Sequence, residues 1–280
     1  MILVFGKTGQ VATSLGGGRG VTRLGRQEAD LTDPQACAEA IRSAKPTMVI
    51  NAAAYTAVDK AESEEALAHT INADAPGAMA VTAAELEVPF VHISTDYVFD
   101  GSGTEPWTPS DITGPVGAYG RTKLAGEEAV RAAGGPHAIL RTSWVFSRTG
   151  SNFLKTMLRV GAQKDVLDVV DDQFGGPTPA PEIAQACLSI AFALRGDPEK
   201  SGTYHFSGYD DVSWADFAKT IFAEAGIKCK INRIPTSEYP TPAVRPENSR
   251  LDCSKTSEVF GIKRPSWLSG LRTALAEMRG

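Results

Sequence analysis

Ile2-Leu-Val-Phe-Gly-Lys-Thr-Gly-Gln-Val-Ala12 (ILVFGKTGQVA) runs from an apolar stretch straight into a loop with two glycines three residues apart. Ile2 to Phe5 has the length and unbroken apolar character of a strand covered on both faces. Glycine at positions 6 and 9 permits positive φ and lets backbone come close to a ligand. A dinucleotide's pyrophosphate binds in such a place, against N–H groups at a helix N-terminus. Ala12 stands where a third glycine would let helix and strand pack, and is small enough to do so. An ordinary strand-to-helix turn shows the same two glycines, and position directly after the first strand favours the phosphate cradle. Gly6-Lys7-Thr8 also invites comparison with a P-loop, but that motif needs a glycine where this chain has Met1.

The pattern continues outward. Gly20 to Leu24, Thr47 to Asn51, Phe90 to Ser94 and Ala138 to Thr142 read as further strands. Ala36 to Ser43 and Leu124 to Ala133 read as helices. Glu64 to Glu87 reads as a long Ala-rich helix interrupted around Pro76-Gly77. Apolar strands separated by helices of this length imply an α/β fold, a doubly wound parallel (Rossmann) sheet with right-handed crossovers. Beyond Trp144 the pattern loosens and prolines cluster, as expected of a smaller C-terminal α/β lobe. The division expected is 1–145 for dinucleotide binding, with 178–207 returning to it, and 146–177 with 208–280 as the substrate lobe.

Composition narrows the function. A chain of 280 residues, 42% hydrophobic and 22% charged, has ample core for this architecture. Its net charge of −5 gives no electrostatic case for nucleic acid or an anionic membrane. No apolar run approaches the roughly 20 residues that span a bilayer, and the start reads as a strand, not a signal peptide. Four scattered cysteines and four histidines form no zinc pattern, so reduced thiols and a cytoplasmic location are expected.

Two further stretches carry chemistry. Ser94-Thr-Asp-Tyr-Val-Phe99 follows an apolar strand, which places hydroxyls at the strand end where open α/β sheets bind ligands. Asn51-Ala-Ala-Ala54 ends another strand with small residues, leaving room for a flat ring. In Val116-Gly-Ala-Tyr-Gly-Arg-Thr-Lys123, Tyr119 and Lys123 lie one helical turn apart. A cation close to a phenol favours phenolate, bringing a group of pKa about 10 toward the range of proton transfer. A surface pair with the same spacing is the alternative. At the end of the second strand, Arg23 and Arg26 stand where NAD-specific folds carry an acid. Either arginine suits a 2′-phosphate, which favours NADPH; two solvated arginines would look the same, so NADH stays open.

The glycine loop, NAAAYTAVDKAE, STDYVF and YGRTKLAGE, in this order, resemble the extended, nucleotide-sugar-modifying branch of the short-chain dehydrogenases/reductases. FGKTGQVA, INADAP, RTSWVF, DQFGGPT and RPENSRLD resemble more narrowly the dTDP-4-dehydrorhamnose reductases, across Phe5 to Asp252. That resemblance implies reduction of the C4 ketone of dTDP-4-dehydro-β-L-rhamnose, the last step of dTDP-L-rhamnose biosynthesis. By resemblance Tyr119 is the general acid, Lys123 holds the nicotinamide ribose and lowers the tyrosine pKa, and Thr95 hydrogen-bonds the same substrate oxygen. Gly6, Gly9, Gln10 and Val11 would carry the pyrophosphate, Asp30 and Leu31 would contact adenine, and Ala52, Ala54 and Thr56 would border the nicotinamide half. Val58, Asp96, Tyr97 and Trp144 would line the sugar pocket, with Arg245 and Arg250 as diphosphate partners. Asn72 matches an asparagine that breaks helix hydrogen bonding near the site.

The family's magnesium site does not carry over, because its glutamate positions fall near Thr13-Ser14 and at Pro181-Glu182, where only Glu182 is acidic. A monomer or homodimer is expected. Two alternatives share these motifs: a reductase of another dTDP-4-keto-6-deoxysugar, and a non-catalytic regulatory subunit of the same fold. Intact Tyr119, Lys123 and Thr95 argue against the second.

Overall fold

The computed structural model describes residues 1–16 and 20–279. Ile2–Phe5 (β1), Val21–Leu24 (β2), Met48–Asn51 (β3), Phe90–Thr95 (β4), His137–Thr142 (β5) and Gly202–His205 (β6) pair in parallel, in the order β6-β5-β4-β3-β1-β2. The chain runs from β1 outward to β2, then returns to place β3 on the other side of β1. That reversal opens a crevice at the carboxyl ends of β1 and β3, where doubly wound sheets take ligands. The glycine loop and Asn51 to Ala54 both lie there.

Side-chain alternation builds one apolar layer on each face. On one face Ile2, Val4, Ile50, Val91 and Leu140 pack against Ile183, Cys187, Ile190 and Leu194 of the helix Ala180–Gly196. On the other, Leu3, Phe5, Val49, Phe90 and Ile139 meet Ile41 of Pro34–Ala44, Met79 and Ala83 of Ala75–Glu85, and Val130 of Ala118–Ala132. Numbering the helices that matter here in chain order, α1 is Gln10–Ser14, α2 is Pro34–Ala44, α3 is Ala75–Glu85, α4 is Ala118–Ala132 and α5 is Ala180–Gly196. Asp33 caps α2 by accepting from the N–H groups of Gln35 and Ala36, with Pro34 at its first position. All four cysteines are free and buried.

A separate apolar cluster gathers Phe146, Leu154, Phe217, Ile221, Trp267 and Leu271. Beside it the strands Val166–Val170 and Lys230–Ile234 pair in parallel. This is the smaller α/β part expected from the sequence after Trp144.

Two expected helix boundaries shift. The long helical region is not interrupted at Pro76-Gly77; it widens into a π-turn over Thr70–Asp74 and then continues as α3. Pro76, which has no N–H to donate, follows closely on the π-turn. The π-turn serves Asn72, whose side chain bonds away from its own helix: Oδ1 accepts from Tyr55 N at 2.8 Å, and Nδ2 donates to Tyr55 O at 3.1 Å and to Thr122 Oγ1 at 3.1 Å. The other shift is at α4, which begins at Ala118 instead of Leu124, so Tyr119 and Lys123 both lie inside it. Its N-terminus is held by Glu62, which accepts from Ala118 N at 2.9 Å; a carboxylate at that end suits the helix dipole. No local sequence signal near position 118 announces a cap supplied from residue 62.

Gly126 of α4 lies directly on the π-turn, where a Cβ would run into the Asn72 carbonyl oxygen. Gly126→Ala is therefore expected to destabilise the protein by about 1–3 kcal/mol, read from chemical denaturation.

Candidate active site

Gly6 sits at φ 112°, and a Cβ there would come within 3.2 Å of the Ala52 carbonyl oxygen and 3.1 Å of Ala12 Cβ. The ends of β1 and β3 thus approach as closely as backbones allow, leaving a cradle that any side chain would fill. Gly9 caps α1 in extended conformation. Gln10 is tied elsewhere: its Oε1 accepts from Ser147 Oγ at 2.9 Å and Asn152 Nδ2 at 2.8 Å. Val11 is buried in the core, so only its backbone can face a ligand. Asp30 accepts from Thr32 N at 3.0 Å, while Leu31 packs against the core behind α2. Ala52 and Ala54 are partly buried at the end of β3, and Thr56 is exposed.

The two arginines beyond β2 behave differently. The Arg23 guanidinium folds back over the glycine loop, donating to Ala12 O at 3.2 Å and to Lys7 O at 3.4 Å. Arg26 lies in solvent, 4.0 Å from Asp30.

At the carboxyl end of β4, Thr95 and Asp96 are buried. The Thr95 hydroxyl donates to Asp96 Oδ1 at 3.0 Å and accepts from Tyr97 N at 3.2 Å. The other carboxylate oxygen, Asp96 Oδ2, is buried without a hydrogen-bond partner. Burial pushes the Asp96 carboxyl up to about 6, against the hydroxyls of Ser249 and Thr95, which favour its ionised form. Gly120 lets the first turn of α4 rest on the Tyr97 backbone, since a Cβ there would run into the Tyr97 carbonyl. This brings Tyr119 to the same strand end, its ring edge-on to Tyr97 at 5.5 Å between centroids.

The linkage for Asp96 has a definite sign. An acid whose folded pKa exceeds its unfolded value weakens the fold once ionised, so its penalty is absent below about pH 4 and complete above about pH 6. Asp96→Asn removes that titration. Relative to wild type, the variant is expected to be better off at pH 7.5 than at pH 4 by on the order of 2 kcal/mol, measured by denaturation at both pH values.

Tyr119 departs from the sequence expectation. Its phenol is raised above the ordinary value by burial first, then by Asp96, with the Thr95 hydroxyl opposing and Tyr97 adding to the rise. With its side chain in this arrangement, Lys123 is not among the groups that act on the phenol. The ammonium position is turned between α4 and the sheet, where Nζ donates to Ile93 O at 2.7 Å and lies 3.2 Å from His92 Nε2. A buried nitrogen seeks polar partners, and the edge of β4 supplies them. Burial brings Lys123 down to about 8, with Glu127 pulling the other way.

The remaining expected residues come from both parts of the chain. Val58 opens a short helical turn next to Asp59, whose carboxylate accepts from Arg245 Nη2 at 2.7 Å on both oxygens. Arg245 also lies close enough to Tyr97 to oppose the rise that burial gives that phenol. Arg250 lies over the Phe174 ring at 4.5 Å and donates to Asn248 Oδ1 at 3.1 Å. Trp144, at φ 49°, has its indole between Gly175 and Trp214, with the two indoles stacked at 3.5 Å and 9°.

Sequence reading passed over Asp59, His92 and Ser249. A histidine within the apolar run Phe90 to Ser94 was the available signal for the second. Glu182, the one acid at the positions where a metal would be held, is exposed on α5, and Ser14 offers no carboxylate. Among the described residues no three His, Cys, Asp or Glu side chains converge. The residues do not fit a magnesium ion.

An open parallel sheet, a glycine cradle at its switch point and a tyrosine–lysine helix beside a Ser-Thr-Asp strand end define a dinucleotide-dependent oxidoreductase fold of the short-chain type. The sequence matches the family described as "RmlD substrate binding domain" over residues 1–279, and the chain belongs to that family. It is 46% identical to dTDP-4-dehydrorhamnose reductase of Sinorhizobium fredii, over 97% of this chain and 95% of that protein. Its fold is similar to the crystal structure of a dTDP-4-dehydrorhamnose reductase from Clostridium acetobutylicum, with TM-score 0.92, 36% identity and coverage of 100% and 99% of the two chains. It is also similar to the Bacillus anthracis enzyme solved in complex with NADP, with TM-score 0.91, 32% identity and coverage of 99% and 98%.

Proposed function

We propose that this protein is a dTDP-4-dehydrorhamnose reductase using NADPH, which reduces the C4 ketone of dTDP-4-dehydro-β-L-rhamnose to the alcohol of dTDP-L-rhamnose. The observation that carries the reading is Tyr119 packed edge-on to Tyr97, close enough to the hydrogen-bonded Thr95–Asp96 pair at the end of β4 to feel both, together with a glycine cradle that a Cβ would fill. The relatives named above support it across the whole chain.

Gly6, Gly9 and the backbone of Gln10 and Val11 hold the pyrophosphate by N–H donation at the start of α1. Asp30 and Leu31 border the adenine, and Ala52, Ala54 and Thr56 the nicotinamide. Arg23, already folded over the loop, is the arginine placed to meet a 2′-phosphate. Held by these residues, NADPH would supply the hydride for reduction at C4.

Tyr119 delivers its proton to the C4 oxygen as negative charge develops there. Burial and Asp96 keep the phenol neutral, so the proton is present to be given, while the same rise makes it a weaker acid whose transfer leans on the Thr95 hydroxyl beside it. The Thr95 hydroxyl donates to the same oxygen, leaving Asp96 Oδ1 to do so. Lys123, whose Nζ rests here on Ile93 O, would have to turn to the crevice to hold the nicotinamide ribose. Val58, Asp96, Tyr97 and Trp144 shape the sugar pocket, and Arg245 and Arg250 take the diphosphate, for which guanidinium geometry is suited.

The division of labour follows: 1–145 with 178–207 binds the dinucleotide, and 146–177 with 208–280 binds the dTDP-sugar. The working form is a cytoplasmic monomer or homodimer. No helix among the described residues is long and apolar enough to cross a membrane.

Arg245 gives a test of the substrate half. Arg245→Leu is expected to raise KM for the dTDP-sugar about tenfold or more, equivalent to losing one charge-assisted contact, while KM for NADPH stays unchanged. Equal changes in both constants would remove Arg245 from substrate binding.

A further inference from the structure

Lys123, His92 and Asn51 form a buried row across α4, β4 and β3, each at most 2% exposed. The backbone fixes the direction of every hydrogen bond in it. Ala53 N donates to Asn51 Oδ1 at 3.1 Å, which assigns the Asn51 oxygen and turns its amide nitrogen toward the imidazole. Asn51 Nδ2 lies 3.2 Å from His92 Nδ1, and an amide NH2 can only donate. Nδ1 must therefore accept, and the neutral ring carries its hydrogen on Nε2. That Nε2–H points at Lys123 Nζ, 3.2 Å away. An ammonium has three donors and no lone pair, whereas an amine can accept. The amine also retains a hydrogen for Ile93 O, at 2.7 Å.

We propose that Asn51 and His92 are positioning residues, forming a one-way hydrogen-bond chain that receives Lys123 as a neutral amine and so governs where the lysine can carry its charge. With the amine, all four bonds from Ala53 N to Ile93 O are satisfied. With an ammonium, some buried donor must face a donor: Nε2–H against Nζ, Nδ1–H against the Asn51 amide, or a flipped amide against Ala53 N. Protonation thus expels Nζ from the row and favours its charged form on the crevice side. The charged and titratable groups around Lys123 are His92 from β4, Glu127 on its own helix, and Arg131 of α4 and Arg141 of β5, both paired with Glu127. His92 itself resists protonation because burial disfavours its cation.

The chain stands on geometry alone; its kinetic consequence rests on the reading of Lys123 as the ribose-holding residue. The test begins with 15N-imidazole NMR of the full-length protein, with the His92 signals assigned by their loss in His92→Phe. The expected result is the Nε2–H tautomer, neutral from pH 5 to pH 9. An Nδ1–H tautomer or a titrating ring overturns the proposal, whatever the enzyme's substrate. The second arm is Asn51→Asp, which puts a carboxylate oxygen opposite Nδ1, forces the Nδ1–H tautomer and turns Nε2 into an acceptor for the ammonium. The Lys123 limb of the kcat/KM pH profile is then expected to move upward by about one unit or more. A flipped tautomer with an unmoved limb contradicts the control of Lys123. Absence of any reductase activity in the wild type would instead count against the proposed function, leaving the tautomer result intact.

Discussion

Replacing Tyr119 by Phe is expected to lower kcat for ketone reduction by about 10²–10⁴-fold, the usual contribution of one positioned general acid. The change removes a single oxygen. The ring remains edge-on to Tyr97, and the Gly120 contact that seats the helix on Tyr97 is untouched. NADPH affinity, read by fluorescence titration, should stay near the wild-type value, because the glycine cradle lies on a different element. A loss confined to kcat identifies an interaction made in the transition state. A matching loss of cofactor binding would assign Tyr119 to the cofactor site instead.

The other large effect is structural. Glu127 of α4 is fully buried and accepts from Ser94 Oγ at 2.6 Å, Arg141 Nε at 2.9 Å, Arg141 Nη2 at 2.7 Å and Arg131 Nη2 at 2.5 Å. Arg141, on β5, is itself only 2% exposed and lies over Phe99 at 4.9 Å. The pair pins α4, and with it Tyr119 and Lys123, to the strands on which the site is built. Glu127→Ala strands a buried guanidinium, and the expected loss of stability is about 3–5 kcal/mol. Replacing both residues together, Glu127→Leu with Arg141→Met, should recover much of that loss, because the stranded charge is gone. Chemical denaturation of the single and double variants measures both figures. A single variant as stable as wild type would show that α4 is held by its apolar contacts alone.

The difference between what local sequence announced and what it did not follows from the range of the interactions. β1, β3, β4 and β5 were legible because a strand covered on both faces must be an apolar run, and each is bounded by glycine, proline or a polar cluster. The glycine cradle was legible for the same local reason. The start of α4 was not, because its cap comes from Glu62; the break in helix bonding at Asn72 was announced by the resemblance alone, because its partners Tyr55 and Thr122 are distant in sequence. Spacing placed Tyr119 and Lys123 on one helix, but spacing carries no information about which neighbour a flexible four-carbon chain will choose. The lysine's partners, His92 and the Ile93 carbonyl, are set by strand register, as Asn51 opposite His92 is. Likewise Asp59 became visible only when the fold brought it to Arg245, across more than half the chain.

The central claim is that Tyr119, half-buried on α4 beside the end of β4, protonates a nucleotide-sugar ketone while reduced nicotinamide donates to its carbon. The most direct measurement supplies the purified protein with dTDP-4-dehydro-β-L-rhamnose and NADPH, follows consumption of the reduced nicotinamide, and reads the configuration at C4 by NMR, for wild type and Tyr119→Phe side by side. The account predicts dTDP-L-rhamnose from the wild type and almost none from the variant. The opposite C4 epimer would contradict the assigned product, and a variant turning over at the wild-type rate would contradict the mechanism itself.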